Sequence, residues 1–166
     1  MYSRQNCCRR NFPMPIACCC FSSSPNFVLN PTTSSQTTQF GFFASTGDTA
    51  VETGGTIPLA LIRSTGTTIS PSSTTAGGVN LLAGRYLVSY TVGATTPAGG
   101  TVSTALNLNG VQVPNTVATE SQTADTLVNL GQTAILDIPQ TSTLTLVNTS
   151  AETVTFGSAN LTITRL

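Results

Sequence analysis

The sequence predicts an all-β protein, an antiparallel jelly-roll sandwich of about ten short strands. Residues 39–166 contain many short segments in which apolar and polar residues alternate, and Gly, Pro or Asn residues separate them. No segment shows helical periodicity over about ten residues, and the abundant Thr and Val favour a pleated surface. This region also lacks Cys and Trp, which argues against an immunoglobulin-like sandwich.

The first predicted strands follow one another along residues 39–92. Gln39–Ala44 is rich in aromatic residues and ends before Gly47-Asp48, a turn signal. Thr56–Ile62 is mostly apolar but contains Pro58, so we expect an edge strand or a bulge there. Arg85–Val92 alternates cleanly: one face carries Tyr86, Val88, Tyr90 and Val92, and the other carries Leu87, Ser89 and Thr91.

A hairpin signal marks the middle of the region. Asn109-Gly110 predicts that Val102–Leu108 pairs with Val111–Val117, because this dipeptide favours the tightest hairpin turns. The Gly- and Ser/Thr-rich segments Ser70–Gly78 and Gly93–Gly100 are expected to be exposed loops. The remaining predicted strands are Thr126–Leu130, Thr133–Ile138, Thr143–Asn148, Thr153–Phe156 and Asn160–Arg165.

The composition excludes several classes of function. Only 7% of the residues are charged, the formal net charge is zero, and the chain contains no His, Lys or Trp. The absence of His removes the commonest general base and metal ligand, and the carboxylates are scattered singly, so we predict no enzymatic activity, cofactor or metal site. Zero net charge gives no footprint for nucleic acid, and no apolar run approaches the roughly 18–20 residues of a membrane span.

Residues 1–38 differ from the rest and are predicted to form an extended, Cys-rich arm or connector ahead of the sandwich at residues 39–166. The arm holds all five cysteines, an odd number, so at least one thiol per chain stays free or bonds to another chain. Neighbouring cysteines rarely pair with each other. A zinc site, a redox-active thiol and lipidation remain as alternatives. The predicted interchain disulfide residues are Cys7, Cys8, Cys18, Cys19 and Cys20.

A short apolar peptide lies between the two cysteine clusters. Its prolines restrict the backbone and favour an extended shape with little ordering entropy to lose on binding. We therefore expect this peptide to dock on another copy of the chain. It consists of Phe12, Pro13, Met14, Pro15 and Ile16.

Four motifs, taken in order, carry a resemblance to a known family. They are Leu82–Tyr90 (LAGRYLVSY), Leu106–Gly110 (LNLNG), Leu144–Asn148 (LTLVN) and Ala159–Leu166 (ANLTITRL). In this order the chain resembles the C-terminal domain of the collagen-like exosporium glycoproteins of spore-forming Firmicutes. That domain is a trimeric jelly roll of the tumour-necrosis-factor and complement type. The Gly-X-Y stalk of those proteins is missing here, and the short arm takes its place.

The resemblance implies a homotrimer. Apolar residues on both faces of a strand favour a second buried surface between subunits. The alternative is that the same rings fill the interior of one subunit. The predicted interface residues are Phe40, Phe42, Phe43, Tyr86 and Tyr90.

Together these features predict a structural subunit of a self-assembling, disulfide-linked fibre or surface layer on bacterial endospores. Arms would join trimers head to tail, with other spore-coat or exosporium proteins as further partners. Pro13 and Pro15 interrupt any signal-peptide core, so we expect synthesis in the mother cell without a signal peptide. The alternative is a trimeric binding head that recognises a host or matrix ligand through Ser70–Gly78 and Gly93–Gly100.

Overall fold

The computed structural model describes residues 38–45 and 47–166. These residues form twelve β-strands and no helix. In chain order the strands are β1 (Phe40–Ala44), β2 (Thr49–Val51), β3 (Ala60–Thr65), β4 (Ile69–Pro71), β5 (Val79–Leu81), β6 (Gly84–Thr95), β7 (Gly100–Leu108), β8 (Val111–Gln112), β9 (Ala118–Gln122), β10 (Val128–Ile138), β11 (Ser142–Asn148) and β12 (Val154–Arg165).

The strands form two antiparallel sheets. The first sheet has the order β10-β6-β12-β1-β3, with β2 also paired to β12. The second sheet has the order β4-β5-β11-β7-β8, with β9 also paired to β7. The crossing connections between the sheets give a jelly-roll sandwich, so the predicted fold class is confirmed.

The core lies between the two sheets and follows the alternation of the longest strands. In β6, the residues Tyr86, Val88, Tyr90 and Val92 are at most 2% exposed, whereas Leu87 and Thr91 are exposed on the opposite face. Leucines of β11 face them from the second sheet and are also fully buried. Burial of each such side chain stabilises the fold by roughly 1.5–3 kcal/mol.

Tyr90 joins the two layers by a polar contact inside the core. Its hydroxyl donates to the carbonyl oxygen of Thr116 at 2.7 Å and lies 3.0 Å from the carbonyl oxygen of Thr104. Burial of the ring raises the pKa of Tyr90. The hydroxyl therefore stays protonated, and it serves as the hydrogen-bond donor for backbone oxygens that water cannot reach.

The predicted hairpin forms, but its second strand is short. Asn109 and Gly110 both have positive φ, 52° and 81°, as a type I′ turn requires. β8 makes only two pairs with β7 before Pro114, which lacks an N–H, and Asn115, whose φ is 60°. The strand predicted over Val111–Val117 therefore forms only at its first two residues, and the chain pairs with β7 again further on, as β9.

In two places, a pair of strands predicted separately forms one continuous strand in the structure. The predicted strands Thr126–Leu130 and Thr133–Ile138 merge into β10, in which Gly131 pairs with Thr91. The predicted strands Thr153–Phe156 and Asn160–Arg165 merge into β12, which passes Gly157 by a bulge between Phe156 and Ser158. A strand tolerates an internal Gly at such a bend or close approach, so these glycines do not end their strands.

Other boundaries also shift. The strand predicted over Thr56–Ile62 starts only at Ala60, and it is the edge strand β3 with a bulge opposite β1. The exposed loop predicted over Gly93–Gly100 is wrong for its first part, because β6 continues to Thr95 and Thr96 is fully buried. Within Ser70–Gly78, the first two residues belong to β4.

The two ends of the sandwich carry different parts of the chain. At one end β1 begins, β12 ends and β6 begins, as the pairs Phe40–Thr164 and Arg165–Tyr86 show. We call this the entry end, because the chain enters its first strand there. At the opposite end, the far end, β6 turns into β7 and β12 begins beside Val51 of β2.

Candidate subunit interface

A row of apolar side chains crosses the outer face of the first sheet. The strand registers place Ile135 beside Leu87, Leu87 beside Thr164, and Thr164 beside Phe40. Ile135 is 61% exposed and Leu87 is 38% exposed, while Phe40 is half-buried. The row therefore carries large apolar side chains on three of four neighbouring strands, and Thr164 of β12 lies between Leu87 and Phe40.

The row continues toward the edge strand β3. Phe42, also half-buried, lies two residues beyond Phe40 on the same face and pairs with Arg63. Ile62 of β3 is 58% exposed, but it lies at the bulge between Leu61 and Arg63 and has no register partner on β1. We call Phe40, Phe42, Leu87 and Ile135 the apolar face.

The outer face of the second sheet has the opposite character. Its central strands present Asn80, Asn107, Thr143 and Thr145, and the Thr143 hydroxyl donates to Asn80 Oδ1 at 2.9 Å. This hydrogen bond links neighbouring strands, whereas Asn107 Oδ1 is buried without a hydrogen-bond partner. Among the described residues, the two outer faces thus differ, because large apolar side chains lie close together on the first sheet and polar side chains on the second.

Three of the five predicted interface rings lie elsewhere. Phe43, Tyr86 and Tyr90 are at most 1% exposed and belong to the interior of the sandwich. A side chain that is already buried has no surface left to cover, so the interface prediction is wrong for these three. They fill the subunit core, and Phe40 and Phe42 remain as predicted interface residues.

An ion pair borders the apolar face at the entry end. Arg85 and Asp137 lie two residues from Leu87 and Ile135 on the same strands, and Arg85 Nε donates to Asp137 Oδ1 at 2.6 Å. This hydrogen bond holds the pKa of Asp137 below its usual value and raises that of Arg85. Both side chains are more than half exposed, at 62% and 70%, so water screens the pair strongly.

Two kinds of feature are absent from the described residues. No group of three or more His, Cys, Asp or Glu side chains in this part of the chain could hold a metal ion. Within the same residues, no helix is long and apolar enough to cross a bilayer. The five cysteines and the docking peptide Phe12–Ile16 lie outside the described residues.

Sequence reasoning missed the aliphatic members of the apolar face. Ile135 was not among the predicted interface residues, and Leu87 was noted only as an apolar residue on the polar side of its strand. The available signal was the alternation itself, because Leu87 and Ile135 occupy positions at which the neighbouring residues on the same face are polar or charged.

Comparisons with known proteins support the fold. The structure is similar to Eiger TNF from S. frugiperda, with a TM-score of 0.66 and 16% identity over 78% of this chain and 92% of that one. It is similar to murine APRIL, with a TM-score of 0.62 and 12% identity over 78% and 99% of the two chains. It also resembles the globular domain of zebrafish complement 1qA, with a TM-score of 0.58 and 7% identity over 77% and 96%.

These similarities establish the architecture alone. At 7–16% identity, residue roles do not transfer between the chains. No protein-family model matches the sequence, and no curated protein matches it. The chain therefore shares the jelly-roll fold of these domains, and its function has to be argued from its own surfaces.

Proposed function

We propose that this protein is a non-enzymatic structural subunit that forms a homotrimer through the apolar face of the first sheet. The observation that carries the proposal is the contiguous row from Ile135 to Phe40 on a sandwich whose other outer face is polar. Large exposed apolar patches mark association surfaces. The trimeric domains that the sequence resembles have this same type of jelly roll.

The trimers assemble further, through their N-terminal arms, into a fibre or surface layer on a bacterial endospore. Residues 39–166 contain no Cys, so any disulfide between subunits has to come from Cys7, Cys8 and the cluster Cys18–Cys20. A head-to-tail contact does not close on itself and therefore generates a filament. Disulfides form late, after the reducing mother-cell cytosol has been lost.

Negative-stain electron microscopy and non-reducing gel electrophoresis of the purified full chain test this proposal. We expect filaments or a ladder of high-mass species that shorten or collapse with reductant. The matched control replaces all five cysteines by Ser, and it should give trimers that associate only reversibly. Discrete trimers that reductant does not change would refute the proposed fibre and favour the binding head. A monomer would refute the proposed homotrimer as well.

A further inference from the structure

A groove at the far end of the sandwich contains none of the residues of the apolar face. It has a volume of about 610 Å³ and lies between β2 with its following loop and the connection from β4 to β5. Ala50, Pro58 and Ala76 supply apolar surface above the buried Val51, and four threonines line much of the rest. Glu52 is an exposed residue of the lining. We call it the β2 groove. It suits a short apolar segment that has a cation beside it.

The charges of the sandwich separate between its two ends. Strand registers put Arg85, Arg165 and Asp137 at the entry end and Arg63 midway along the first sheet, while no Arg of the described residues lies at the far end. Five of the six carboxylates of the chain are at the far end: Asp48, Glu52, Glu120, Asp125 and Glu152. The far end is therefore negative as a whole, with Glu52 in the groove.

The N-terminal arm has the complementary character. Residues 1–38 contain Arg4, Arg9 and Arg10 and no Asp or Glu. Arg9 and Arg10 come just before the apolar peptide Phe12–Ile16. A cationic pair followed by an apolar, proline-restricted segment matches a groove that has apolar surface and an acidic residue in its lining.

The length of the chain allows this peptide to reach a neighbouring copy. Residues 17–39 separate the peptide from β1, and an extended chain of that length spans about 75 Å. The twelve-residue strand β6, which runs the length of the sandwich, covers about 40 Å. Because β1 starts at the entry end, a second copy stacked there presents its far end directly to the incoming arm.

We propose that residues Arg9–Ile16 of one copy dock in the β2 groove of a copy in the next trimer. The apolar side chains occupy the groove, and the arginines lie beside Glu52. The inference rests on the proposed fibre and specifies its contact: the entry end of one trimer faces the far end of the next. Since the two surfaces differ, the contact repeats in one direction.

Cysteine trapping in the full chain tests the contact. Ala76→Cys places a thiol in the groove, and Ala83→Cys places one at the entry end; both alanines are exposed, and residues 39–166 hold no native Cys. Trimers labelled with ¹⁴N and ¹⁵N are purified apart, mixed and oxidised. We expect mixed-label disulfides between an arm cysteine and Cys at position 76, at least fivefold above position 83.

The other outcomes each overturn the inference. Single-label disulfides alone would place the arm on its own trimer, and trapping at position 83 or at neither position would move the contact away from the groove. If wild-type filaments form in these last cases, the proposed fibre stands and only the groove assignment fails. If the wild-type chain forms no filaments at all, the proposed fibre itself is refuted, and the groove assignment, which rests on it, is refuted with it.

Charge exchange gives an independent readout under reducing conditions. Glu52→Arg should raise the protein concentration needed for filament growth by about three- to thirtyfold, because it turns an attraction into a repulsion. Adding Arg9→Glu and Arg10→Glu to the same chain should restore most of the loss. The matched control, Glu120→Arg, makes the same charge change outside the groove and should have little effect. Equal losses for Glu52→Arg and Glu120→Arg would show a general charge effect and overturn the contact.

Discussion

The double substitution Leu87→Asp with Ile135→Asp tests the apolar face most directly. The exposed fractions, 38% for Leu87 and 61% for Ile135, are the surface that a partner subunit can still bury. If complete burial of such a side chain is worth roughly 1.5–3 kcal/mol, the two residues together contribute roughly 1.5–3 kcal/mol per subunit on association. A trimer contains three copies, so the loss is roughly 4.5–9 kcal/mol, or about three to six orders of magnitude in the dissociation constant.

Sedimentation velocity at micromolar concentration, with circular dichroism to check the fold, measures this effect. The variant should be a folded monomer under conditions in which the wild type is a trimer. Val111→Asp is the matched control, because Val111 is 71% exposed at the hairpin tip, away from the apolar face. A double variant that remains trimeric at the wild-type concentration would refute the assignment of this face.

The remaining predictions concern the interior and the charged border. Asn148→Ala should lower the free energy of unfolding by about 2–5 kcal/mol in urea titrations, because a fully buried amide binds three backbone groups; a loss below about 0.5 kcal/mol would contradict this. Tyr90→Phe should cost about 1–3 kcal/mol at neutral pH. Because the pKa of Tyr90 is raised in the folded state, wild-type stability should fall as pH rises above about 10, and Tyr90→Phe should fall less steeply. The pKa of Asp137 is lowered by Arg85, so the stability from this pair is present at neutral pH and is lost as pH falls below about 4. Asp137→Asn should flatten this acid slope slightly, and an unchanged slope would indicate that the exposed pair contributes nothing.

The strands that alternate strongly could be predicted from the sequence. In Arg85–Val92 each buried residue is followed by an outward one, and the strand has this arrangement over its whole predicted range. Asn109-Gly110 also formed the expected turn, because few dipeptides accept two positive φ values. In these segments local chemistry and tertiary packing favour the same structure.

Short strands and bulges could not be predicted in the same way. β2, β4 and β5 have three residues each, too few to show a period of two. Glycines inside long strands looked like breaks, and only the neighbouring strand shows that Gly131 stays in register. Asn148 matches a glycosylation sequon in sequence, but its amide donates to the carbonyl of Val51, 97 residues away.

The apolar face depends on registers that no local pattern contains. Ile135 is an isolated outward apolar residue until pairing with Leu87 places the two side by side, and Phe40 joins them only through β12. Single exposed apolar residues are common, whereas a contiguous row is not. The aromatic rings that stood out in the sequence include three that form the core, because large rings are also what a thin sandwich buries best.

Substitutions should disrupt the two proposed contacts differently: the trimer contact through the apolar face and the arm contact between stacked trimers. In the proposed contact, one arm in one groove would bind weakly, because its ion pair would be exposed and its apolar peptide is short. Three arms on one trimer would bind together, and multivalency of this kind can raise the apparent affinity by about 10²–10⁴. Leu87→Asp with Ile135→Asp should then abolish filaments as well as trimers. Glu52→Arg should leave the trimer intact and weaken only the filament, which sedimentation and electron microscopy of the same samples would separate.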